Sequence, residues 1–247
     1  MIDLHCHLLH GIDDGAGTIE QGLELARAAV EDGITHAVAT PHIHAGRYDN
    51  NADSIASVYK VFRQALEREH IPLHLDYAAE VRLSAELPVL LMQDKIPFLG
   101  EWEGSKVLLL ELPHSHIPPG LDQFLRWLKQ RNIRAMIAHP ERNKDILRQF
   151  HKLERLLRHD CLFQVTATSL NGQFGEAAMS CAQQMLKRGV ITVLATDTHH
   201  IVRRPPNLSA GRQAAEKIVG EMKSWELVWD NPLKIASCQF IDGLPPD

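Results

Sequence analysis

Seven short apolar runs, separated by amphipathic helical stretches, constrain this chain more than any other feature. They are IDLHCHLL (2–9), THAVAT (35–40), LHLDYAAEV (73–81), KVLLLEL (106–112), RAMIAHP (134–140), LFQVTAT (162–168) and ITVLATD (191–197). Strands alternating with helices at this spacing predict a parallel sheet with helical crossovers. The helices carry recognisable boundaries. Thr18 precedes IEQGLELARAAVEDG with Gln21 three residues on, a capping-box pattern, and Gly33 and Gly189 sit where C-terminal glycines are expected.

Such a sheet either stays open or closes into a barrel, and the polar residues discriminate between the two. His5 and His7, Glu80, Glu111, His139 and Asp197 each lie at or near the C-terminal end of an expected strand. Barrel enzymes place their chemistry there, drawn from many strands, whereas an open sheet concentrates it at one switch point. At least five strands contribute here, which favours an α/β barrel.

With 247 residues, 45% of them hydrophobic, the chain has material for one large core, and no linker, repeat or low-complexity run divides it. The expected organisation is one domain over 1–247, with a flexible tail from about residue 240. A net charge of −5 opposes a surface built to coat nucleic acid or anionic lipid. No apolar run approaches membrane-spanning length, and Asp3 and His5 interrupt any leader-like segment. Cys6, Cys161, Cys181 and Cys238 are scattered, so a cytoplasmic protein with reduced thiols is expected.

The metal-binding signal lies in the strand ends. Residues two apart on a strand share a face, so His5 and His7 point together, as do Asp197 and His199. Asp14, His42, Glu80, Glu111 and His139 complete a set of five histidines and four carboxylates. Imidazole and carboxylate together suit divalent zinc, iron or manganese. One tetrahedral ion takes about four ligands, so nine candidates imply two or three ions. Asp13 competes with Asp14 as the loop ligand. His44 and the HSH at 114–116 imitate the spacing but lie in irregular loops, and His10 and His200 neighbour the candidates as partners.

DLHCH followed by GIDDG, TPH, AAEVRLS, AHPERN and TDTH, in this order, closely resembles the PHP (polymerase and histidinol phosphatase) superfamily. Within it the chain is similar to the bacterial tyrosine phosphatases of capsular and exopolysaccharide operons, over residues 2 to about 206. The resemblance implies a distorted (β/α)7 barrel of the PHP type with a trinuclear site. By motif, His5, His7, Glu80 and Asp197 would hold one ion; Glu111 and His139, with Glu80 bridging, a second; and Asp14, His42 and His199 the third. It also selects Asp14 over Asp13. Manganese is the first expectation, with iron or zinc compatible.

Clustered divalent ions bring the pKa of bound water toward neutrality, which suits hydrolysis. A phosphate ester also needs cationic forks for its oxygens. Arg142 in HPERN and Arg203 or Arg204 after the Asp197/His199 pair are the leading candidates, and the resemblance, with its arginine before paired prolines, selects Arg204. Arg47, Arg203 and His200 are further substrate-binding candidates. No cysteine has an arginine six positions on, which excludes the thiolate phosphatase pattern. The resemblance implies a phosphotyrosyl protein as substrate, namely a tyrosine autokinase of polysaccharide export. A PHP phosphatase of a small phosphomonoester such as histidinol phosphate is the alternative. An amidohydrolase finds no strand-borne bridging lysine, and a non-catalytic scaffold sits poorly with a full ligand set.

Overall fold

A computed structural model describes residues 1–240. Residues 241–247, most of the tail expected to be flexible, lie outside the described residues. Phe240 itself is buried, its ring 5.0 Å from that of His36.

Ten strands form among the described residues: β1 (Ile2–Cys6), β2 (His36–Ala39), β3 (His42–Ile43), β4 (His74–Tyr77), β5 (Glu80–Arg82), β6 (Gly100–Trp102), β7 (Ser105–Glu111), β8 (Ile133–Ala138), β9 (Leu162–Thr166) and β10 (Val193–Ala195). Each of the seven expected runs contains at least one of them. One parallel ladder runs β1-β2-β4 and a second β10-β9-β8-β7-β5-β3, with β6 antiparallel on β7. The expected strand over 73–81 is broken, and its partner explains why. Pro41 interrupts the path from β2 to β3 because it has no N–H to donate. At that level β4 also gives way to β5: Ala78 N bonds Ala39 O at 2.8 Å, and Glu80 N is shared between Thr40 O at 3.3 Å and Pro41 O at 3.2 Å. Each pair is thus one kinked strand, and seven parallel strands circle a distorted barrel of the expected type.

The ring closes between β1 and β10. His7 N donates to Thr198 O (2.9 Å), and Asp197 N donates to His5 O (2.7 Å). Below them the buried Asp3 carboxylate accepts from Thr196 N (3.0 Å), Thr196 Oγ1 (2.5 Å) and His5 N (3.2 Å). One side chain thereby fixes the level at which the first and last strands meet.

Strand alternation divides the apolar residues into two layers. Ile2, Leu4, Val38, Val107, Leu109, Met136, Leu162 and Val193 fill the barrel interior, floored by Ile235. Ala37, Leu108, Leu110, Ile137, Phe163 and Leu194 face outward against helices such as Ile19–Glu31 and Ala52–Arg68. In β1 the register against β2 shifts between Asp3 and Cys6, a β-bulge. Below it Ile2 and Leu4 face inward; above it Cys6 and Leu8 join the outer layer, so His5 and His7 turn into the mouth.

The helix boundaries follow the expectations in outline. Thr18 Oγ1 accepts from Gln21 N, but Gln21 Oε1 reaches back to Gly17 N at 2.9 Å rather than to the capping residue itself. Replacing Asp3 by Ala strands two buried donors of Thr196. We expect Asp3→Ala to lower unfolding stability by about 2–4 kcal/mol in urea titrations, with Asp3→Asn costing less than half as much. Equal losses would count against the seam.

Candidate metal centre

All nine candidate ligands converge at the C-terminal ends of the strands. Their local backbone shows how. Glu111 continues the inward row Val107, Leu109 of β7. His139 and Asp197 follow β8 and β10 in the left-handed region (φ 34° and 52°), which turns each side chain into the mouth at some conformational cost. Asp14 comes from the loop after β1, and His42 opens β3. His5, His7, Glu80, Glu111, His139, Asp197 and His199 are all buried.

Three sets of donor atoms lie within 4.8 Å of one another: His5, His7, Glu80 and Asp197; His7, Asp14, His42 and His199; and His42, Glu80 and Glu111. The first matches the partition that the resemblance implies. The second gains His7. In the third His42 stands beside Glu80 and Glu111, while His139 meets Glu80 directly, Nε2 to Oε1 at 2.7 Å.

The donor set fits divalent cations. His5 Nδ1 bonds Gln164 Oε1 (2.9 Å), His7 Nδ1 bonds Asp13 Oδ2 (2.7 Å) and His199 Nδ1 bonds Asp197 O (3.0 Å). With Nδ1 donating in each case, all three rings turn Nε2 lone pairs toward the cluster. His5 Nε2 and His7 Nε2 then face each other at 3.2 Å, two acceptors sharing a space that a cation would satisfy. His42 Nδ1 and Glu80 Oε2 are 3.0 Å apart and buried, yet neither has a properly directed hydrogen bond. Unsatisfied lone pairs converging in a dry site are what a metal needs.

The electrostatics of Glu80 and Asp197 agree. Burial alone would raise the Glu80 carboxyl, but His5, His42 and His139 outweigh it and hold it well below the usual range. Burial opposes charge on Asp197 too, and Arg142, His5 and Arg204 overcome it. Burial and the Arg142 charge push His139 down to about 3, so its imidazole is neutral. Glu111 is raised by burial and by the neighbouring Glu80.

Asp13 and Asp14 separate cleanly. Asp14 Oδ1 lies 3.3 Å from His42 Nε2 and 3.5 Å from His199 Nε2, inside the cluster. Asp13 faces away, holding His7 Nδ1, His42 N (3.0 Å) and Gly15 N (2.9 Å). Arg142 and Arg204 line the cleft, and both donate through Nη2 to Asp197 Oδ2, Arg142 at 2.5 Å. Arg47 and Arg203 are exposed and lie outside the cleft lining. His200 is exposed as well, its Nδ1 accepting from Val202 N and Arg203 N.

Sequence reasoning missed several contributors. Gln164 orients both His5 and His139, whose N donates to Oε1 at 3.1 Å. Its signal was a lone amide within the apolar run LFQVTAT. Arg82 holds Glu111 Oε1 at 2.8 Å. His114, discounted as a loop residue, lines the cleft and stacks on His139 with ring centroids 5.7 Å apart. Because Glu80 belongs to two donor sets and Glu111 to one, we expect Glu80→Gln to remove more bound metal than Glu111→Gln. Elemental analysis of dialysed protein checks this, and equal losses would argue against a shared Glu80.

Known proteins place this geometry in a family. The family model for capsular polysaccharide synthesis, CpsB/CapC, matches residues 1–237. The chain is 32% identical over 246 residues to the tyrosine-protein phosphatase YwqE of Bacillus subtilis, covering 100% of this chain and 95% of the relative. It is 27% identical to the tyrosine-protein phosphatase CpsB of Streptococcus pneumoniae, covering 98% of this chain and 100% of that one. A chain from the crystal structures of these two metal-dependent tyrosine phosphatases superposes with a TM-score of 0.89 at 30% identity, with full coverage of both. An organophosphorus hydrolase from Deinococcus radiodurans (TM-score 0.59, 13% identity, 94% of this chain and 92% of that one) shares the fold alone. The chain belongs to the CpsB/CapC family of capsular polysaccharide synthesis.

Proposed function

We propose that the chain is a metal-dependent protein-tyrosine phosphatase. The observation that carries this reading is a cluster of carboxylates and imidazoles with two arginines at its mouth, in a chain similar over its whole length to YwqE. His5, His7, Glu80 and Asp197 would hold one divalent ion; Asp14, His42 and His199, with His7 beside them, a second; and Glu80, Glu111 and His139, with His42 close by, a third. Manganese leads, since mixed imidazole and carboxylate ligation suits it, with iron or zinc as alternatives. Bound there, such ions supply Lewis acidity for phosphate oxygens and a water of lowered pKa.

The chain's own residues do the rest. Arg142 and Arg204 offer planar forks to the phosphate, exchanging part of their hold on Asp197 for it. Asp13 and Gln164 keep His7 and His5 in the tautomer that faces the cluster. A tyrosyl oxygen, with its pKa of about 10, leaves without a strong acid beside it. The proposed substrate is a phosphotyrosyl protein, in particular a tyrosine autokinase of polysaccharide export, as the family's capsular role suggests. A cytoplasmic site of action goes with this reading. All four cysteines are unpaired, and no helix among the described residues is long and apolar enough to cross a membrane.

Phosphate release from a phosphotyrosyl peptide and from histidinol phosphate, with manganese and then with chelator, tests the proposal. Turnover that chelator abolishes and that favours the peptide is expected. Preference for histidinol phosphate would move the enzyme to the small-substrate branch. Arg142→Ala with Arg204→Ala should lower kcat/KM by about a hundredfold or more, and full activity in that variant would remove the clamp.

A further inference from the structure

Phe174 lies outside every motif read from the sequence, yet both clamp arginines rest on it. The Arg142 guanidinium carbon is 4.6 Å from the ring centroid and that of Arg204 is 5.8 Å away. The two cations come from distant segments, one after β8 and one after β10, and share a single carboxylate oxygen of Asp197. Each also carries a buried Nε–H with no hydrogen-bond partner. Beyond Asp197, the aromatic face is a contact common to both side chains. The ring itself is anchored. Gly172 and Gly175 (φ 83° and 88°) frame a tight turn whose Gln173 Nε2 donates to Arg203 O at 2.9 Å. The segment carrying Arg204 and the segment carrying Phe174 are thus tied together.

We infer that Phe174 is a positioning residue for phosphate binding, holding Arg142 and Arg204 parallel to its face so that both forks meet one oxyanion. The inference rests on the reading of the two arginines as a phosphate clamp. The physical reason is conformational. A free arginine gives up rotamer entropy when it is fixed, and two like charges side by side repel. A π face offsets the repulsion and holds the planes before the ligand arrives.

The test uses the metal-loaded protein and three substitutions. Inorganic phosphate binding by calorimetry and steady-state kinetics on a phosphotyrosyl peptide are measured for each. Phe174→Leu keeps apolar bulk and removes the π face. It should weaken phosphate binding and raise KM by about three- to tenfold, the order of two cation–π contacts, with metal content and thermal midpoint preserved. Phe174→Trp should restore wild-type values. Unchanged phosphate affinity in Phe174→Leu overturns the inference. So does an equal loss in Phe174→Leu and Phe174→Trp, which would mean packing alone. If Phe174→Leu fails to fold, Gln173→Ala decides: it loosens the tie to Arg203, and undiminished phosphate binding there overturns the inference. A wild-type protein that binds phosphate but leaves the phosphotyrosyl peptide intact would sink the phosphatase reading and leave the role of Phe174 standing.

Discussion

The grip of Asp3 on Thr196 is the contact on which the remainder depends. Two hydrogen bonds accepted from Thr196 by one buried carboxylate fix the level of β1 against β10. One strand level higher, that alignment brings Asp197 N onto His5 O and His7 N onto Thr198 O. The pair His5/His7 and the pair Asp197/His199 therefore meet across the closure line, and the first donor set spans it. A slip of one residue would send every side chain of one strand to the wrong face. The β-bulge completes the arrangement, because it lets apolar Ile2 and Leu4 fill the interior while His5 and His7 face the mouth.

Charge is the second constraint. Four carboxylates surround a mouth in which most ligands are excluded from water, and buried charge persists only when compensated. Two arginines neutralise Asp197 from the cleft side, Arg82 does so for Glu111, and the imidazoles face Glu80 and Asp14. The polar supports are tied in turn: Asp13 holds His7, and Glu141 accepts from Ser169 Oγ (2.7 Å) and Thr166 N (3.1 Å) through Oε1. The mouth thus surrounds converging lone pairs with compensated charge, the two arginines bound to Asp197 on its cleft side.

Much of this was legible in the sequence, because strand periodicity and strand-end chemistry are local signals. The seven runs located the barrel strands, and HxH and DxH spacing located paired donors without any tertiary information. What escaped was set by partners far away in the chain. Pro41 was visible, but that it would also break the strand at Ala78 and Ala79 depends on their pairing. GIDDG could not distinguish its two aspartates by position, since one meets His7 and the other His42 and His199. Gln164 looked like an ordinary polar residue until His5, 159 residues away, met it. Phe174 lies in no motif and Arg82 sits inside AAEVRLS beside the ligand Glu80, but the roles of both arise only from what the fold sets beside them.

The closure of the barrel also sets the order in which the molecule can be made. Asp3 and Thr196 are 193 residues apart, so their bonds must await nearly the whole chain, at the loop-closure cost of a long separation. A nascent chain on the ribosome can form the helices and most of the parallel ladder while its first strand still lacks a neighbour on one side. His5 and His7 are synthesised at the outset but stay half a site until β10 emerges. Completion of the donor set His5, His7, Glu80 and Asp197 is thereby postponed until the last strand has joined the first.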